Sequence, residues 1–193
     1  MARNREFDIN EALTSAMGLF WLNGYSNTSI DNLLESMDIG KGSFYQAFDN
    51  KRDLYLQTLE LYKNQSRYFF EGISSNGKGI NRLKNYFISL IDEMYKEDFV
   101  QRGCFLCNAS IENSGKDNEI TEIVSSGYKE VIDKLQEIVE ESQTIGEIRK
   151  DLNPEDTAHW LFSSSYGLLM LAKSDFKKDK IKKIAMDTIN ILV

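Results

Sequence analysis

The chain has 193 residues, 41% of them hydrophobic and 27% charged. That is enough apolar material for one large or two small packed domains, and it excludes a disordered chain. A single proline and few strand signals predict an all-α fold, and the net charge of −7 sits awkwardly with any nucleic-acid partner.

Residues 1–6 read as an arm carrying Arg3 and Arg5. A first helix is expected from about Phe7 to about Asn23, with Ile9, Leu13, Ala16, Met17, Phe20 and Trp21 as its buried stripe. An amphipathic opening in place of an apolar run, with only two cysteines in the chain, predicts a cytoplasmic protein. Gly24 ends this helix and Tyr25 leads into the next.

The stretch Thr28 to Phe48 reads as a helix-turn-helix. Thr28 is the expected cap, with Asp31 three residues on near the positive end of the helix dipole. Ile30, Leu33, Leu34 and Met37 recur at helical spacing and predict a helix from about Ser29 to about Ser36. Met37 to Gly40 form the corner, and a second helix from about Lys41 to about Ala47 buries Phe44 and Phe48 on one face. Its other face presents Lys41, Gly42, Ser43, Tyr45 and Gln46. These groups suit phosphates and base edges in a major groove; an ordinary surface helix in an αα-corner carries the same pattern.

A long helix follows from Lys51 to about Ile73, with Lys51 and Arg52 in its first turn. Cations there oppose the helix dipole and make sense beside a bound phosphate, or as simple solvent-exposed charges. Residues 1–50 hold three cations, Arg3, Arg5 and Lys41, against seven acids, so the basic groups must be gathered on one side if this region meets DNA.

Residues 74–79 are the clearest loop. Further helices are expected over about 80–96, 104–113, 118–142, 154–172 and 177–192, with Pro154 at a helix start. The segment Ala158 to Leu171 is apolar or small all round, which reads either as the centre of a monomer core or as a helix shared between its own body and a second subunit. The longest apolar stretch, His159 to Ala172, is too short and too serine-rich to span a membrane.

Catalytic signals are absent. The single histidine, His159, has no evident Ser or Cys partner, and no phosphate loop, dinucleotide fingerprint or zinc spacing occurs, so an enzyme, a metal site and a cofactor are not expected. Cys104-Phe105-Leu106-Cys107 is a lone C-x-x-C, read either as two packed small residues or as a thiol activated at a helix start.

The run from Gly24-Tyr25 through Thr28-Ser29-Ile30 and Met37 to Phe48, continuing into Asp49-Asn50-Lys51-Arg52-Asp53-Leu54, resembles the DNA-binding region of the TetR family of transcriptional regulators. The likeness covers roughly residues 5–60 without gaps. It departs from the family pattern at Asp38, where glycine is usual, at Gly40, where a small polar cap is usual, and at Gln46, where an aromatic residue or His is common.

The resemblance implies an N-terminal three-helix DNA-binding domain, 1–50, and a larger helical ligand-binding and dimerisation domain, 51–193. It implies a homodimeric repressor on a near-palindromic double-stranded DNA operator, released by a small hydrophobic or aromatic ligand. Thr28, Lys41, Gly42, Ser43, Tyr45, Gln46 and Lys51 are then the expected DNA contacts. Tyr62, Phe69, Tyr86, Phe105, Asn108, Tyr128, His159 and Phe162 are the candidate pocket residues. Trp160, Ser164, Gly167, Leu171, Ile184, Thr188 and Ile191 are the expected dimer contacts on the last two helices. The alternatives are a helical ligand- or protein-binding module that does not use DNA, and a thiol-based redox or electrophile sensor on the same fold.

Overall fold

A computed structural model describes residues 7–74, 77–96 and 102–193. The arm with Arg3 and Arg5, and residues 75 and 76 of the expected loop, lie outside the described residues. Nine α-helices and no strands are found among those described: α1 (Ile9–Asn23), α2 (Ile30–Met37), α3 (Lys41–Ala47), α4 (Lys51–Ser74), α5 (Ile80–Met94), α6 (Phe105–Asn113), α7 (Asn118–Thr144), α8 (Pro154–Lys173) and α9 (Lys178–Asn190).

The chain divides into two compact units, residues 1–65 with 105–124, and residues 66–104 with 125–193. The first unit therefore extends beyond residue 50 and takes in α6 and the start of α7, a grouping that the sequence does not announce.

In the first unit, Ala12, Ala16, Met17 and Phe20 of α1 enclose a small core with Leu33 and Met37 of α2, Phe44 and Phe48, and Leu54, Tyr55 and Leu59 of α4. Ile9, expected inside, is 44% exposed, because α1 begins only there and Asp8 caps it from outside. The cap of α2 is also corrected. Ser29, not Thr28, is the N-cap, and Asn32, not Asp31, completes the capping box. Asp38 takes the left-handed conformation at φ 52° that the family usually gives to glycine, and its N–H reaches the carbonyls of Leu34 and Glu35. Gly40 caps α3 with no side-chain hydrogen bond.

The second unit packs α5, α8 and α9 together. Its core draws Leu83, Phe87 and Ile91 from α5, Leu135, Ile138 and Val139 from α7, Ala158, Leu161 and Leu168 from α8, and Ile181, Ala185 and Ile189 from α9. Pro154 stands in the first turn of α8, where its missing N–H costs nothing, and Asn153 supplies the cap.

Candidate nucleic-acid interface

Burial of Phe44 against the small core fixes which side of α3 faces out. Lys41, Gly42, Tyr45 and Gln46 are exposed and Ser43 is half-buried. Tyr45 is 49% exposed, a large apolar ring held in water by its place on the helix. A Cβ at Gly40 or at Gly42 would meet nothing within 4 Å, so neither glycine is demanded by internal packing. The backbone is bare there and open to close approach.

Thr28 departs from its expected place. It is buried, and its hydroxyl donates to the Gly24 carbonyl at 2.7 Å, so it shapes the turn before α2.

Of the two cations that open α4, Arg52 is held by acids at the start of α7, and Lys51 feels the charge of Glu112 on α6. Lys51 Nζ lies 4.2 Å over the Tyr25 ring. Burial pushes its pKa down, and the charge of Glu112 partly restores it. Arg52 is gripped by both oxygens of Asp117, Nε to Oδ2 at 2.6 Å and Nη2 to Oδ1 at 2.9 Å, and also meets Glu119 at 2.5 Å. The guanidinium beside Asp117 holds that carboxyl below its ordinary value. Glu112 accepts from the backbone N–H groups of Tyr25 and Ser26. Burial would raise its pKa, but these hydrogen bonds and Lys51 outweigh burial and leave it lowered. Sequence reasoning missed Glu112, Asp117 and Glu119 as partners of the head, because acids on a helix surface give no periodic signal of whom they meet.

The candidate pocket residues fall in several places. In the first unit, Tyr62 and Phe105 pack around Trp21, with Tyr62 at 4.9 Å and Phe105 at 6.1 Å between ring centroids. Phe105 is also edge-on to Tyr55. Asn108 is half-buried on α6. In the second unit, Tyr128 and Phe162 pack with Tyr166, at 5.4 and 4.6 Å from its ring. Tyr86 is buried against Phe70 and Phe87, and burial pushes its phenol up to about 12. Tyr166 has its phenol raised by burial and stands 3.7 Å from the Cys104 sulfur. Phe69 is 39% exposed. His159 is exposed, with Nδ1 2.8 Å from the Glu155 carbonyl oxygen, so it belongs to the outer face of α8 and not to the aromatic cluster. Cys104 and Cys107 are half-buried and form no disulfide. Among the described residues no group of three or more His, Cys, Asp or Glu could hold a metal ion, and no helix is long and apolar enough to cross a membrane.

The last two helices keep an open apolar stripe. On α8, Trp160 is 40% and Met170 54% exposed, with Gly167 between them exposed and Ser164 and Leu171 half-buried. On α9, Ile184 and Thr188 are half-buried and Ile191, just past its end, is 63% exposed. Met170 was missed because the all-round apolar run hid which face would be left uncovered.

A small helical head that presents a short polar helix, continued into a larger helical unit, defines a helix-turn-helix regulator. The model for bacterial regulatory proteins of the tetR family matches residues 12–58, and the model for the tetracyclin repressor-like C-terminal domain matches residues 79–186. The chain belongs to the TetR family of transcriptional regulators. An uncharacterized HTH-type transcriptional regulator of Bacillus subtilis, YezE, is 26% identical over 94% of each chain. The HTH-type transcriptional repressor ComR of Escherichia coli is 27% identical over 98% of this chain and 90% of its own. Among solved structures, a cysteine mutant of the TetR family regulator CifR, complexed with 26-base-pair double-strand operator DNA, has the same fold. Its TM-score is 0.85 at 23% identity, over 100% of both chains.

Proposed function

We propose that this chain is a cytoplasmic, homodimeric repressor that grips a near-palindromic operator and is released by a small hydrophobic or aromatic ligand. The observation that carries the reading is the outward face of α3. Lys41, Gly42, Tyr45 and Gln46 stand exposed on a helix whose other side is locked into the core by Phe44. Tyr45 and Lys41 supply contacts that position the helix on phosphates, and Gln46 supplies an amide that can pair with a base edge. ComR is named a repressor and the CifR structure contains operator DNA, and both support the same role here.

The α8–α9 stripe of Trp160, Gly167 and Ile191 is the proposed dimer contact, and two heads then read half-sites about 34–36 Å apart or somewhat more. Release requires a ligand that prefers the DNA-incompetent state. Its proposed place is among the body aromatics Tyr86, Tyr128 and Phe162. The domain division at residue 50 is kept as a functional one, base recognition before it and ligand sensing and dimerisation after it, with the cations that open α4 at the boundary. No catalytic role is assigned to any residue.

Selection from a pool of random duplexes tests the reading. Enriched sequences should be near-palindromes, and a pool that shows no enrichment would overturn it.

A thiol sensor on the same fold is a second reading, favoured by one contact, Cys104 Sγ to Tyr166 Oη at 3.7 Å. Thiol titration before and after peroxide decides it. Loss of the Cys104 thiol together with loss of DNA binding supports the sensor, and unchanged DNA binding excludes it.

A further inference from the structure

The head is short of positive charge. Between residues 7 and 58 its cations are Lys41, Lys51 and Arg52 alone. Two of these three open α4, and one of them, Arg52, is bound by acids of the elbow between α6 and α7.

The elbow is itself tightly built. Asn113 Oδ1 accepts from the Asp117 N–H at 2.9 Å, while Asn113 Nδ2 donates to the Asp117 carbonyl at 2.9 Å. Asp117 Oδ1 also accepts from the N–H groups of Glu119 and Ile120, capping α7. Asp117 is thereby fixed in place with both oxygens aimed at the Arg52 fork. A carboxylate held this way and a DNA phosphate are like partners for a guanidinium, since both accept its parallel N–H pair. Arg52 cannot serve both fully.

We propose that the α6–α7 elbow is an internal competitor for DNA: Asp117 and Glu119 hold the Arg52 guanidinium that would otherwise meet an operator phosphate, and so set the strength of the grip. The proposal rests on the repressor reading above. It makes Asp117 and Glu119 positioning residues that act through Arg52 and never touch DNA. It also gives the protein a means of regulation, because loosening the elbow hands the head a third cation.

The test is a binding series on the duplex upstream of the protein's own gene, with a random-sequence duplex alongside, read as affinity against salt. Asp117→Asn keeps the cap of α7, because Asn caps as well as Asp, and Glu119→Gln keeps its shape. Because both heads of the dimer gain the contact, the double variant should bind about 25- to 100-fold tighter at ~0.1 M salt, with the slope of log affinity against log salt steeper by about 1.8, the value of two phosphate contacts. Adding Arg52→Ala should erase both gains. In the wild-type background Arg52→Ala should leave the slope unchanged, and this arm stands whether or not the elbow variants fold. The proposal is overturned if the double variant binds no tighter, if its gain survives without Arg52, or if Arg52→Ala alone flattens the wild-type slope by about 1.8, two contacts per dimer. Wild-type protein that binds neither duplex at low salt defeats the repressor reading and this proposal together. Wild-type binding with an unimproved variant defeats this proposal alone.

Discussion

Glu112 on α6 accepts a 2.8 Å hydrogen bond from the backbone N–H of Tyr25, 87 residues earlier in the chain. A second bond of 2.7 Å comes from the N–H of Ser26. The carboxylate thus closes over the turn that leads α1 into the recognition motif. It fits there because residue 24 is glycine: φ is +80°, and a Cβ would lie 3.0 Å from Glu112 Oε2.

Removing this clamp should loosen the first unit. Glu112→Ala leaves two N–H groups without their charged acceptor and should cost about 1–3 kcal/mol, with Glu112→Gln costing less. Gly24→Ala should cost about 1 kcal/mol or more, from its left-handed backbone and the crowded carboxylate. Urea denaturation reads both; an alanine variant at 112 within about 0.3 kcal/mol of wild type would show that the clamp contributes nothing.

Acid should release the same clamps. Glu112 and Asp117 both have lowered pKa values in the folded protein. A group with a depressed folded pKa adds stability above its unfolded pKa, and that stability is lost as pH falls through the folded value. The melting temperature should therefore drop as pH falls from about 5 to about 3, around the ordinary carboxylate range. A Glu112→Gln, Asp117→Asn variant should start lower and drop less over that window. Parallel curves for the two proteins would assign the acid sensitivity to other groups.

Gly167 offers a clean probe of the dimer contact. A Cβ there meets nothing within 4 Å in the monomer, so Gly167→Arg fits the isolated chain and obstructs only what packs against α8. Light scattering should then report a monomer in place of a dimer. An unchanged dimer mass places the interface elsewhere.

Much of this was legible because local chemistry dictates it. Asp38 in a left-handed corner, Gly40 as a bare cap, Phe44 facing in and Pro154 opening α8 each follow from one residue and its immediate neighbours. Thr28 and Ser29 show where that logic stops. Two adjacent hydroxyls are equally able to cap, and only packing decides that Thr28 turns inward to Gly24 while Ser29 takes the cap. The Arg52–Asp117 and Tyr25–Glu112 contacts join residues 65 and 87 apart, a separation at which helical periodicity carries no information. The candidate pocket residues are body aromatics with a few polar groups, a composition shared by core and pocket alike. His159 shows the cost, since it stands on the open side of α8.

Two neighbouring side chains on α3 should separate grip from choice of sequence. Tyr45→Ala should weaken binding to every duplex, since in the proposed complex its hydroxyl positions the helix on a phosphate. Gln46→Ala should instead relax preference at one or two base pairs, by about 1–3 kcal/mol for a bidentate contact. A Gln46 variant with an unaltered base preference would move base reading to other residues of the head.

The most direct measurement is footprinting of the wild-type protein on the DNA upstream of its own gene at low salt. The account predicts two protected half-sites related by a near-palindrome, their centres about one helical turn or somewhat more apart. Protection should be lost in Tyr45→Ala. Absence of any protected site on that DNA, with the protein folded and dimeric, would contradict the account.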